Sequence, residues 1–287
     1  MEIVPVSHHR CKLGEGPVWD VADQMLFWVD GLAPALFRHD PASGATDRWA
    51  LPARTVGSLA VRANGGVVLA MEQGFYSFDL DSWTATTLSE PMAGQADVRL
   101  NDGKVDRMGR FLAGGMNRDY VGDTDPKGVL YRLDHDGGVT ALLDGFICFN
   151  GPCFSPDGRT LYVTGRDTSV IEAFDYDQAS GTLGEGRVLI SGINPDGATV
   201  DADGYVWSAQ WDDACLLRIT PDGAIDTRID VPDQTVTSVM FGGPDLDIIF
   251  VTTALLDDAD SPIPDAGRTL AIHGSGYRGV AEHRFGG

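Results

Sequence analysis

Six oxygen-bearing side chains recur along this chain at a nearly constant interval. They are Glu15, Ser58, Asn101, Asn150, Asp196 and Ser238, separated by 43, 43, 49, 46 and 42 residues. Each opens a short apolar run, as in Gly14-Glu15-Gly16-Pro17-Val18, Leu100-Asn101-Asp102-Gly103-Lys104, Phe149-Asn150-Gly151-Pro152-Cys153 and Pro195-Asp196-Gly197-Ala198-Thr199. Two are acids and two are amides whose carbonyl oxygens are neutral donors to a cation. Hard oxygen donors of this kind suit Ca²⁺, Mg²⁺ or Mn²⁺. Two carboxylates facing each other in a narrow mouth repel and raise one pKa, a conflict that a divalent ion removes. No His or Cys joins the set, which argues against a structural zinc site and leaves a catalytic Zn²⁺ on oxygen ligands open. Any one of these residues is an ordinary turn residue by itself. Their shared phase is what marks them.

The elements that must position them share the period. A short apolar strand follows each opening, with centres at Trp28, Leu69, Leu112, Tyr162, Trp207 and Phe250, in steps of 41, 43, 50, 45 and 43 residues. In the fourth copy the two runs flank Ser155-Pro156-Asp157-Gly158. There Pro sets φ, Asp bonds locally and Gly accepts a positive φ, which makes a hairpin turn. A third strand follows, such as Leu36-Phe37-Arg38-His39-Asp40, and the remaining interval holds a fourth, such as Val139-Thr140-Ala141-Leu142-Leu143. About 40–50 residues per four-stranded unit is the repeat of a propeller blade. Six copies predict an all-β, six-bladed β-propeller spanning 1–287 as a single domain. A β-sandwich or jelly roll does not predict this period. In a propeller the innermost strand of every blade lines the central channel, so the six opening residues should ring one mouth. The end segments Ile3-Val4-Pro5-Val6 and Gly279-Val280-Ala281-Glu282-His283 are expected to pair and close the ring. The polar stretch Asn117–Asp125 is a candidate lid.

Composition narrows the partners. With 43% apolar residues and 36 glycines in 287, the chain reads as globular and turn-rich. A formal charge of −21 makes nucleic acid or an anionic membrane surface a poor partner. Met1–Ser7 lacks the features of a leader, and no apolar run approaches the ~18 residues of a spanning helix. Cytoplasm is the expected compartment. Cys11, Cys148, Cys153 and Cys215 show no paired spacing and read as reduced thiols. Trp19, Trp28 and Trp207 read as core, His8 and His9 as surface. Trp211, Arg166 and Asp167 are evenly balanced candidates for the cavity wall. Ser58 and Ser238 have no paired base and read as wall residues, and no Gly-x-Ser-x-Gly elbow supports a serine esterase.

At the motif residues the chain resembles the SMP-30/gluconolactonase/regucalcin family of sugar lactonases, which are six-bladed propellers. The resemblance covers nearly the whole length. It rests on Leu13-Gly14-Glu15-Gly16-Pro17-Val18-Trp19, Arg99-Leu100-Asn101-Asp102-Gly103-Lys104-Val105-Asp106, Asn150-Gly151-Pro152, Ala173-Phe174-Asp175-Tyr176-Asp177 and Pro195-Asp196-Gly197. It implies that Glu15, Asn150 and Asp196 hold one divalent cation, with Ca²⁺ placed ahead of Zn²⁺, Mg²⁺ or Mn²⁺. Asn101 would contact substrate or a bound water, and Arg99 would bind the sugar. Where the family often carries a Glu, this chain has Asp119, one methylene shorter, beside Arg118. The implied reaction opens an aldono-1,5- or 1,4-lactone of a C5 or C6 sugar, with Asp196 as general base. Two other functions stay open: a calcium-dependent phosphotriesterase-like hydrolase of the diisopropylfluorophosphatase type, whose propellers look similar, and a non-catalytic calcium-binding propeller. The sequence is silent on oligomeric state.

Overall fold

The computed structural model describes residues 1–118, 125–165, 169–232, 235–256 and 264–287. Among these residues the strands form six four-stranded antiparallel sheets. The inner strands are Gly14–Asp20, Val56–Val61, Val98–Val105, Asn150–Phe154, Pro195–Val200 and Val236–Gly242. In blades 1 to 5 the strands follow chain order from the inner strand outward. Each inner strand packs against the inner strands of both neighbouring blades, which closes the ring. The six-bladed β-propeller is the architecture the repeat predicts.

Blade stacking explains the residue pattern. Second strands are covered on both faces and read as largely apolar or small runs; all five residues of Val67–Met71 are buried. Outer strands meet solvent and alternate, so that in Ala45–Ala50 only Trp49 is buried. The apolar core is accordingly divided into six clusters among the described residues, one at each blade–blade interface. Trp19, Trp28 and Trp207 lie in these interfaces at 2% exposure or less. At 150–250 Å² per aromatic side chain and about 25 cal/mol/Å², each contributes roughly 4–6 kcal/mol of burial free energy. Trp207 also donates its indole N–H to Asp201 at 2.9 Å.

Ring closure departs from the expectation. The N-terminal strand Glu2–Pro5 does complete the sixth blade, but it pairs with Leu270–His273, in the register Val4↔Ala271. It takes the fourth-strand place that no segment after His273 fills. Gly274 and Gly276 take positive φ values of 70° and 85° and turn the chain away from the sheet. The C-terminal segment instead laces the blades: Gly279 bridges to Asp201 and Phe285 to Arg62. Arg284 reaches Asp20 in blade 1 at 2.9 Å through Nε.

Among the described residues no helix is long and apolar enough to cross a membrane. All four cysteines are free thiols, three of them buried and Cys148 half-buried. The expected wall residues Arg166 and Asp167 and the expected substrate residue Asp119 lie outside the described residues.

Candidate active site

Every inner strand carries one extra residue against its neighbour in the same blade. Glu15 faces Val29 while Val18 faces Phe27, so three steps on the inner strand match two on its partner. The same slip occurs at Leu100/Gly103, Asn150/Cys153 and Pro195/Ala198. Blades 2 and 6 slip at Val56/Ser58 and Val236/Ser238. Such bulges bend a strand and re-aim its side chains. In blades 1, 3, 4 and 5 they carry Glu15, Asn101, Asn150 and Asp196 at the same level of the ring.

Those four side chains, with Arg99, line one cavity of about 410 Å³. Ser58 and Ser238 do not line it. Ser58 is fully buried and donates to the Asn101 carbonyl at 2.8 Å. Its neighbour Gly57 allows this approach, since a Cβ there would fall 2.2 Å from the Asn101 carbonyl oxygen. Ser58 and Ser238 are packing residues. Four members of the ring reach the cavity.

Hydrogen bonds fix how the amides point. Arg99 Nη1 donates to Asn101 Oδ1 at 2.7 Å and to the Leu100 carbonyl at 3.0 Å. A guanidinium can only donate, so the Asn101 amide must turn its NH₂ the other way. That group donates to the Phe149 carbonyl and to Asn150 Oδ1, both at 2.7 Å. Asn150 Nδ2 contacts Cys148 Sγ at 3.5 Å. Asn150 therefore presents an oxygen with a second lone pair free to meet a cation. Asn101 has its oxygen committed to Arg99.

The acids are buried, Glu15 at 6% and Asp196 at 4% exposure. Burial, then the nearby carboxylates of Asp196 and Asp102, push the Glu15 pKa well above its ordinary value. Burial and Asp102 do the same to Asp196. The Asp196 carboxylate accepts no hydrogen bond among the described residues, and Glu15 accepts one from the Gly16 N–H at 3.2 Å. Among the described residues no three His, Cys, Asp or Glu side chains form a metal-binding group. The donor set is two carboxylates completed by an amide oxygen. Oxygen-only donors, excess negative charge and the lack of a bonded cationic partner fit a hard divalent cation.

The SMP-30/Gluconolactonase/LRE-like region matches residues 13–255. The chain belongs to this family. It is 35% identical over 263 residues to the pentonolactonase XacC of Haloferax volcanii, covering 88% of this chain and 86% of that protein. It is 36% identical to a 6-deoxy-6-sulfogluconolactonase of Pseudomonas putida, covering 84% of this chain and 83% of that protein. A solved structure titled as a calcium-binding protein, regucalcin, from Agrobacterium tumefaciens superposes with a TM-score of 0.91 at 28% identity. That likeness covers 98% of this chain and 96% of the other.

Glu15, Asn101, Asn150 and Asp196, four of the six residues that share the repeat phase, line the cavity together with Arg99, which the resemblance alone had pointed to. Arg118 does not line the cavity, and its Nε donates to the Ala96 carbonyl at 2.8 Å. Trp211 does line the cavity, together with Met116, Cys148, Thr164, Asn194 and Asp212. The sequence pointed to none of Met116, Thr164, Asn194 and Asp212, read Cys148 only as a reduced thiol, and gave Asp102 no role. Of these, Cys148 stands two residues before Asn150 and shares its β-phase. Asp102 directly follows Asn101, where Glu15, Asn150 and Asp196 are each followed by glycine.

Proposed function

We propose that this chain opens a sugar lactone, an aldono-1,5- or 1,4-lactone of a C5 or C6 sugar, to the aldonic acid. One divalent cation, Ca²⁺ before Zn²⁺, Mg²⁺ or Mn²⁺, would be held by Glu15, Asn150 and Asp196. One observation carries this reading. Two buried carboxylates with no bonded cationic partner among the described residues share a 410 Å³ cavity with an oriented amide oxygen. The pentonolactonase and sulfogluconolactonase relatives support the substrate class, and the calcium-binding regucalcin neighbour supports the cation.

A cation bound there supplies Lewis-acid polarisation of the lactone carbonyl and lowers the pKa of water. The protein's own groups do the rest. Arg99 and the Arg99–Asn101 hydrogen bond give the sugar a cationic, preorganised edge. Asp196, whose carboxylate accepts no hydrogen bond among the described residues, would take the proton of the attacking water. The water oxygen bonds to the carbonyl carbon, the ring C–O bond breaks, and the proton returns to the leaving ring oxygen.

The test is Asp196→Ala against wild type in a pH-stat assay on gluconolactone, xylonolactone and arabinonolactone. Loss of a ligand and a base together should lower kcat at least about 1000-fold, since general-base catalysis alone is worth about 100- to 10,000-fold. Wild-type kcat in Asp196→Ala would remove its role.

A further inference from the structure

Three of the four cavity-facing ring residues are followed by glycine: Glu15-Gly16, Asn150-Gly151 and Asp196-Gly197. The fourth, Asn101, is followed by Asp102. At Gly16 and Gly151 the bulge runs through positive φ, 54° and 58°, where a side chain is disfavoured. Asp102 is not in that region, so the blade-3 bulge admits a side chain.

That side chain has specific work. Asp102 is buried at 5% exposure. Its Oδ1 accepts the Gly103 N–H at 2.7 Å, and its Oδ2 accepts the Gly151 N–H at 3.0 Å. Gly151 belongs to the next blade and directly follows Asn150. One carboxylate thus joins the bulge of blade 3 to the bulge from which Asn150 projects. Asp102 also stands close enough to Glu15 and Asp196 to act on the charge of both. Lys104, two residues along the same strand and itself buried, supplies the main opposing charge. Its Nζ contacts Met240 Sδ at 3.8 Å and makes no direct ion pair among the described residues.

We propose that Asp102 is a positioning residue for the cation: its bridge from the blade-3 bulge to the Gly151 N–H sets the direction of Asn150. This rests on the divalent-cation reading above. Asp102 does not line the cavity. It acts through Asn150.

Replacing Asp102 by Asn is nearly isosteric but leaves only one acceptor oxygen, so an NH₂ must face either the Gly103 or the Gly151 N–H. Groups that orient metal ligands are typically worth about 10- to 100-fold in metal affinity. The experiment is calorimetric titration of metal-stripped full-length protein with CaCl₂, for wild type, Asp102→Asn and Asp102→Ser, with near-ultraviolet circular dichroism to confirm folding. Both variants should bind Ca²⁺ about 10- to 100-fold more weakly. Raising Ca²⁺ should restore lactone turnover in Asp102→Asn but not in Asp196→Ala. Unchanged Ca²⁺ affinity with a lower Tm would make Asp102 only a staple between blades and would overturn the proposal. Loss of the folded state in both variants overturns it equally. Absence of Ca²⁺, Mg²⁺, Mn²⁺ and Zn²⁺ binding in the wild type would overturn the cation reading itself, a result distinct from either.

Discussion

Changing Asn101 to Asp separates two roles that residue could have. If Asn101 were a cation ligand, a carboxylate there should bind the ion more tightly. The structure argues the opposite. The Asn101 NH₂ donates to the Phe149 carbonyl and to Asn150 Oδ1, both at 2.7 Å. In Asn101→Asp both become contacts between oxygens in a buried site. Two lost hydrogen bonds cost about 1 kcal/mol each, and the acceptors left unsatisfied add about 1–3 kcal/mol. The new ion pair with Arg99 offsets about 1 kcal/mol, leaving a loss of about 2–4 kcal/mol. At about 2 °C per kcal/mol for a chain of this size, metal-free Asn101→Asp should melt roughly 4–8 °C below wild type. Its Ca²⁺ affinity should fall, because Asn150 is repelled from its place. Differential scanning calorimetry and Ca²⁺ titration measure both quantities. A variant as stable as wild type that binds Ca²⁺ more tightly would refute the hydrogen-bond relay and make Asn101 a ligand.

Two further outcomes concern the scaffold. Burial is the main cause that pushes the His39 pKa below its ordinary value, partly opposed by Asp40. The unfolded chain therefore binds the proton more readily, and stability is lost as pH falls below the ordinary histidine value of 6.5. Urea midpoints of wild type should drop between pH 7 and pH 5 by more than those of His39→Gln; equal drops would remove His39 from the acid response. Arg218 is 5% exposed, bonded to Asp201 at 2.7 Å and stacked 3.6 Å from the Tyr205 ring centre. Arg218→Met leaves the buried Asp201 charge uncompensated and should cost about 3 kcal/mol, roughly 6 °C in Tm; a shift under 2 °C by calorimetry would contradict it.

The fold was legible because the repeat is written in residue type. Doubly covered strands must be apolar, and Pro-Asp-Gly corners announce the turns, so Tyr162 and its counterparts could be aligned without a structure. The ring was legible for a related reason: Glu15, Asn101, Asn150 and Asp196 hold a phase that packing alone does not require. The bulges were not legible. A period-2 pattern shows which face a residue takes, not that one strand carries an extra residue, and the aim of Asn150 depends on that. Closure was half legible, because Ile3–Val6 reads as a strand. The partner's identity depended on where Gly274 and Gly276 turn the chain. Asp102 was not legible, because its role depends on reaching the Gly151 N–H of the next blade, a contact that residue type and spacing do not encode.

We propose above that a divalent cation on Glu15, Asn150 and Asp196 drives opening of a sugar lactone. The direct measurement is pH-stat hydrolysis of gluconolactone and xylonolactone by metal-stripped protein, titrated with Ca²⁺ and then with EDTA. Activity should be near background in the stripped protein, rise to a plateau as Ca²⁺ fills one site per chain, and vanish on chelation. Stripped protein that hydrolyses these lactones as fast as Ca²⁺-loaded protein would contradict the account.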